Sequence, residues 1–180
     1  MTAFRHLAEA IIRRVTRRPP DVIIGGADAP YLRRWHILPR NRIFNLYLHH
    51  FLRDDDDRAL HDHPWAWCSL VLAGGYYEHT IAAGGIHHRR WRPAGSLAIS
   101  GPRRAHRIEL HKHPQHMLDF YSVMGGRGRE RLPPVTCFTL FATGPTVRAW
   151  GFHCPKRGWV PWQQFTDPAD PGIAGRGCEP

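Results

Sequence analysis

His61-Asp62-His63 is the stretch of this chain best suited to do chemistry. Side chains alternate along an extended segment, so two histidines one residue apart point the same way. Both imidazoles can then reach one metal ion, as a two-pronged clamp on a β scaffold. The segment runs through Pro64-Trp65-Ala66-Trp67-Cys68 into the apolar run Ser69-Leu70-Val71-Leu72 and meets Gly74-Gly75, which reads as a strand closing in a turn. Such a site needs at least one more donor. His106 is the best candidate: it opens the strand-like Arg107-Ile108-Glu109-Leu110, where Ile108 follows its inward parity while Arg107 and Glu109 take the other face.

The elements around these residues read as follows. Residues 1–20 hold an amphipathic helix, with Phe4, Leu7, Ala8, Ile11, Ile12 and Val15 at helical spacing and arginines on the other face, stopped before Pro19-Pro20. Such a helix packs on the outside of a barrel or serves a dimer contact. Residues 35–165 alternate as strands. Ile43 to Phe51 puts Phe44, Leu46 and Leu48 on one parity and Asn45, Tyr47 and His49 on the other. Further strands are expected at 67–73, 76–82, 86–92, 96–100, 105–110, 117–123, 135–142 and 146–153, many separated by Gly or Pro pairs. Many short strands at regular spacing mean a sandwich or barrel. The acidic run Asp54–Asp57 reads as a solvated loop, and residues 166–180, rich in Pro, Gly and Asp, as a flexible tail.

At this point the sequence resembles the cupin superfamily. The first cupin motif runs His-x-His, three or four residues, Glu, six residues, Gly. Here it is His61-Asp62-His63, four residues, Cys68, six residues, Gly75. The second motif is met more loosely by Gly95, Pro102 and His106, with Leu110 at the Asn position. The end of the chain, from Phe138 to Pro145 and on through Arg148-Ala149-Trp150 to Gly158-Trp159, is similar to uncharacterised cupin-like proteins of bacteria and phages. The resemblance implies an all-β, double-stranded β-helix (jelly-roll) barrel with the metal inside, preceded here by an α-helix.

Cys68 stands where typical cupins carry a glutamate ligand. A cysteine there resembles thiol dioxygenases of the cysteine dioxygenase type, in which it is cross-linked to a tyrosine beside a three-histidine iron. The resemblance then implies His61, His63 and His106 as ligands and Cys68 as a catalytic thiol, with Tyr47, Tyr76, Tyr77 and Tyr121 all open as its partner. The bland alternative for Cys68 is a small core residue. The resemblance places Fe(II) ahead of Ni, Mn or Zn as the one divalent transition metal, and three neutral imidazoles would leave that ion with net positive charge and open positions. Arg148, on a late strand, is a candidate for binding an anionic substrate.

The bulk numbers bound the rest. The 180 residues suit one domain with its own core. The net charge of +10 comes almost wholly from arginines spread along the chain rather than gathered in a stripe, so it does not by itself call for nucleic acid. No apolar stretch is long enough to span a membrane, and the start shows no secretory signal. Cys68, Cys137, Cys154 and Cys178 are widely spaced, which reads as four free thiols in a reducing cytoplasm. Of the remaining histidines, His49-His50 and His87-His88 can each send at most one ring inward, while His111, His113 and His116 read as a solvated loop. Trp65 and Trp67 read as packing of the barrel mouth. The leading expectation is a metal-dependent dioxygenase acting on a small acid or thiol. The alternative is a non-enzymatic cupin module binding a small ligand or a protein, and the resemblance leaves room for a homodimer.

Overall fold

The computed structural model describes residues 2–26, 28–55, 59–110, 135–169 and 173–179. The expected strand at 117–123, together with His111, His113, His116 and Tyr121, lies outside them. Helix α1 (Thr2–Val15) opens the chain, ends on two arginines in its last turn and is followed by Thr16, whose hydroxyl donates to the Ile12 carbonyl.

Among the described residues, twelve strands follow: β1 (Val22–Ile24), β2 (Leu32–His36), β3 (Asn45–Phe51), β4 (Leu60–His61), β5 (Trp67–Ala73), β6 (Gly75–Ile81), β7 (His87–Pro93), β8 (Leu97–Ser100), β9 (Arg107–Leu110), β10 (Cys137–Thr143), β11 (Gly151–Cys154) and β12 (Gly158–Pro161). One layer is a six-stranded antiparallel sheet in the order β1-β2-β3-β10-β5-β8. The other is made of β12-β11-β4 and β7-β6-β9, joined where His61 pairs with His106. Two layers thus face each other around one interior, the expected double-stranded β-helix.

Strand parity decides what each face does. In β3, Asn45, Tyr47, His49 and Phe51 turn inward, while Leu48 turns outward to join Ala8, Trp35 and Leu72 beneath α1. The helix covers the outside of the six-stranded sheet, because Phe4, Ala8, Ile11, Ile12 and Val15 fall on one face at its 3.6-residue period. Inside, Leu32, Phe51, Val71, Tyr76, Ile108 and Leu110 form a core at one end of the barrel. The turn from β5 to β6 needs glycine at position 74. Its φ is +71°, and a Cβ there would sit 2.1 Å from the Thr136 carbonyl oxygen.

Several expectations are corrected. The β region starts earlier than residue 35, since β1 lies before it and β2 already begins at Leu32, and β11 starts only at Gly151, not at 146. Asp54 and Asp55 are no solvated loop. Their carboxylates accept the backbone N–H groups of Leu110 (2.6 Å) and Ile108 (2.7 Å), donors on the edge of β9 that faces away from β6. Cys154 and Cys178 form a disulfide, leaving Cys68 and Cys137 free, so the reading of four free thiols is overturned. Of the expected tail, several described residues hydrogen-bond back onto the barrel. Phe165 ends a short helix α2 (Trp162–Phe165), Thr166 pairs with Ala174, and Gly175 and Gly177 donate to the Phe165 carbonyl. Widely spaced cysteines meet here because the chain end folds back over β11.

Candidate metal centre

His61 and His106 are placed by backbone pairing. Each donates its N–H to the other's carbonyl, both at 2.9 Å, so they sit directly opposite one another on adjacent strands. His63 follows two residues after His61 on the same face and is held by its own N–H to the Pro102 carbonyl, 3.2 Å. The result is a cluster in which one ring nitrogen from each of His61, His63 and His106 lies within 4.8 Å of the others. No other group of His, Cys, Asp or Glu among the described residues could hold a metal in this way.

The donor set fits a transition metal. The Nε2 atoms of His63 and His106 are 2.9 Å apart. Two imidazoles bound to one ion at about 2.1 Å with a right angle between them would stand about 3 Å apart. The tautomer of His106 is set from behind, since its Nδ1 lies 3.2 Å from Glu78 Oε1 and Nε2 is left toward the cluster. Arg92 in turn donates to Glu78 through Nε at 3.0 Å and through Nη2. Trp67 stacks on the His106 ring, 4.8 Å between centroids and 27° between planes, which holds the ring's tilt.

Burial keeps His61 and His63 neutral. It pushes His61 down to about 4, against a smaller opposing pull from Asp55, and pushes His63 well below its ordinary range, with His106 and His61 adding to the effect. His49 is lowered in the same way, and half-buried His50 falls to about 4. A neutral ring is the form that can donate a lone pair to a metal. The same shifts make the fold acid-sensitive. The unfolded chain takes up these protons near pH 6.5, whereas His61 in the folded chain takes one only near 4. Stability of the metal-free protein is therefore full above about pH 6.5 and declines as pH falls toward 4, by about 3 kcal/mol for His61 alone. Thermal unfolding followed from pH 7 to pH 4 checks this; a flat profile would mean that the rings accept protons without unfolding.

The cluster opens on a cavity of about 320 Å³. Most of its wall is apolar, including Phe51, Trp65, Phe141, Trp150 and Phe152. The C-terminal segment closes part of it through Phe165, Thr166, Ile173 and Ala174. Arg34 and His49 are among its few polar walls.

The other two expected site residues are elsewhere. Cys68 lies on β5 with the parity of Leu70 and Leu72, the face turned toward α1. Its cross-strand neighbours are Ala142 and Ile99, and Ile99 is 72% exposed. Trp67 and Ser69 take the inward positions instead. Cys68 is thus on the opposite side of the sheet from the histidines, and a thioether within the site is ruled out by parity. Arg148 pairs with buried Asp62 at 2.7 Å and lies over the Trp159 ring, away from the cavity wall. Asp62 also accepts from the Gly151 N–H and the Trp159 indole, so it ties β11 and β12 to the histidine segment.

Two facing layers, a helix on the outer side and three histidines meeting between the layers decide the architecture. The fold is a double-stranded β-helix barrel. No protein-family model matches the sequence, and no curated protein matches it. Solved structures do resemble it. An uncharacterised conserved protein with a double-stranded β-helix domain from Klebsiella pneumoniae aligns with a TM-score of 0.45 at 15% identity, covering 72% of this chain and 90% of that one. A cupin superfamily protein from Desulfitobacterium hafniense aligns at 0.41 and 10%, covering 63% and 77%. The iron(II) form of HppE aligns at 0.45 and 14%, covering 67% of this chain and 54% of that one. In the present double-stranded β-helix barrel, the residues that sequence reasoning missed are Glu78, Arg92, Arg34 and Asp55. Each is a charged residue turned into the protein, and alternation alone would have signalled only that Glu78 shares the parity of Tyr76.

Proposed function

We propose that this cupin barrel is a metal-dependent oxygenase of the Fe(II) type, acting on a small acid or thiol. The observation that carries the reading is the closed set of three imidazoles, with no carboxylate among them, at the wall of a mostly apolar cavity. His61, His63 and His106 would hold the ion. When bound, Fe(II) would supply redox activation of dioxygen and Lewis-acid polarisation of a substrate oxygen. Glu78 holds the His106 tautomer and Arg92 holds Glu78. The aromatic walls keep water from the reacting groups and strengthen each polar contact within. Since Cys68 faces the other side of the sheet, it has no part in this chemistry.

Oxygen consumption tests the reading. Protein loaded with Fe(II) is expected to take up dioxygen only when a small acid or thiol is supplied, and the uptake should vanish in His106→Ala. Stoichiometric iron with no substrate-dependent uptake across such a panel would make the barrel a binding module instead. Among the described residues no helix is long and apolar enough to cross a membrane.

A further inference from the structure

Arg34 is unusual among the arginines of this chain. It sits on β2 directly across from His49 on β3, and both turn into the barrel. Its Nε donates to His49 Nε2 at 2.9 Å, and its guanidinium lies 5.1 Å from the centre of the Tyr47 ring. No carboxylate among the described residues pairs with it, whereas Arg18, Arg89, Arg92 and Arg148 each have one. Burial lowers it from its ordinary value, opposed only by the smaller pull of the Tyr47 and Tyr31 hydroxyls and by no carboxylate. Accepting from Arg34 leaves the neutral His49 ring with its proton on Nδ1, and that buried N–H has no acceptor either. A charge held in the interior without a counter-charge is costly, and the cost is relieved when an anion arrives. Arg34 stands on the same cavity wall as His61, His63 and His106, and its charge is felt at His63.

We propose that Arg34 anchors the negatively charged head of the ligand, so that the cavity takes a small monocarboxylate with an apolar body. One guanidinium matches one negative charge. The apolar walls, Phe51, Phe141 and Trp150 among them, match the rest of the molecule. That the far end of such an acid reacts at the three histidines rests on the proposed metal centre; the anion site itself does not.

The test uses metal-free protein, stripped with a chelator, so that it stands whether or not a metal binds. Fluorescence of Trp65 and Trp150, both in the cavity wall, reports binding. Acetate, butyrate, hexanoate and phenylacetate are titrated beside their neutral amides. Hexanoate and phenylacetate are expected to bind about tenfold or more tightly than hexanamide and phenylacetamide, and more tightly than acetate. Arg34→Met should bring acid affinity down to that of the amide, while Arg148→Met keeps the preference. If Arg34→Met does not fold, the acid-to-amide ratio of the native chain decides. Equal affinity for acid and amide, an undiminished preference in a folded Arg34→Met, or no binding of any acid below about 10 mM overturns the proposal.

Discussion

Replacing His61 and His63 together by alanine is expected to take the transition-metal content of the purified protein from about one per chain to near zero. Two of the three clustered nitrogens are removed, and the remaining one, on His106, has no other His, Cys, Asp or Glu donor set nearby among the described residues. The fall in affinity should exceed the roughly 10–100-fold that partners behind the ligands are worth. Elemental analysis of both proteins checks it. The double variant also removes two buried rings, so its unfolding curve is recorded alongside. Full metal occupancy in a folded double variant would place the metal elsewhere in the chain and remove the basis for the proposed chemistry.

Glu78→Gln is the second large effect. Glu78 is 2% exposed and sits between Arg92, 6% exposed, and the His106 ring. Burial alone would raise its carboxyl; hydrogen bonds from His106 and Arg92, with the guanidinium charge of Arg92, outweigh this and set it at about 2. The carboxylate is therefore charged at neutral pH, and the stability it lends is present above about 4.5 and lost as pH falls through about 2. Glutamine keeps the shape but leaves the buried guanidinium of Arg92 without its counter-charge. A loss of about 3 kcal/mol in unfolding free energy is expected. Metal affinity should drop about 10–100-fold, because the His106 ring loses both its fixed tautomer and the electron density the carboxylate lends. Adding Arg92→Met to Glu78→Gln should restore much of the stability, since the unpaired charge is gone, without restoring metal affinity. Denaturant unfolding and metal titration separate the two roles. Unchanged metal affinity in Glu78→Gln would reduce Glu78 to a structural residue.

Much of this barrel is legible in the order of its residues alone. The pair His61 and His63 follows from the two-residue period of an extended chain, and His106 from its place at the start of an alternating strand. Strand β5 falls where its apolar run and closing glycines put it. The helix is legible in the spacing of Phe4, Ala8, Ile11 and Val15, because a 3.6-residue period survives without knowledge of what it packs against. Strands β1 and β2 are harder to read. Leu32 to His36 carries two arginines and a histidine in five residues, and only the cavity explains an inward arginine there.

The cysteines show the limit most plainly. Cys68 lies at a glutamate position by motif spacing, yet β5 turns it toward the helix, because Trp67 and Ser69 hold the inward parity. Spacing counts residues, whereas the face a residue occupies depends on where the strand enters the sheet, and a shift of one exchanges inside for outside. Cys154 and Cys178 are 24 residues apart and carry no local signal of pairing. By itself, then, the sequence determined what is periodic and local: the class of fold, the helix and the histidine clamp. Only the tertiary structure decided what depends on long-range pairing. The His61–His106 bridge brings the donors together, the fold-back of the chain end makes the disulfide, and the register of β2 against β3 leaves Arg34 facing the cavity without a counter-charge.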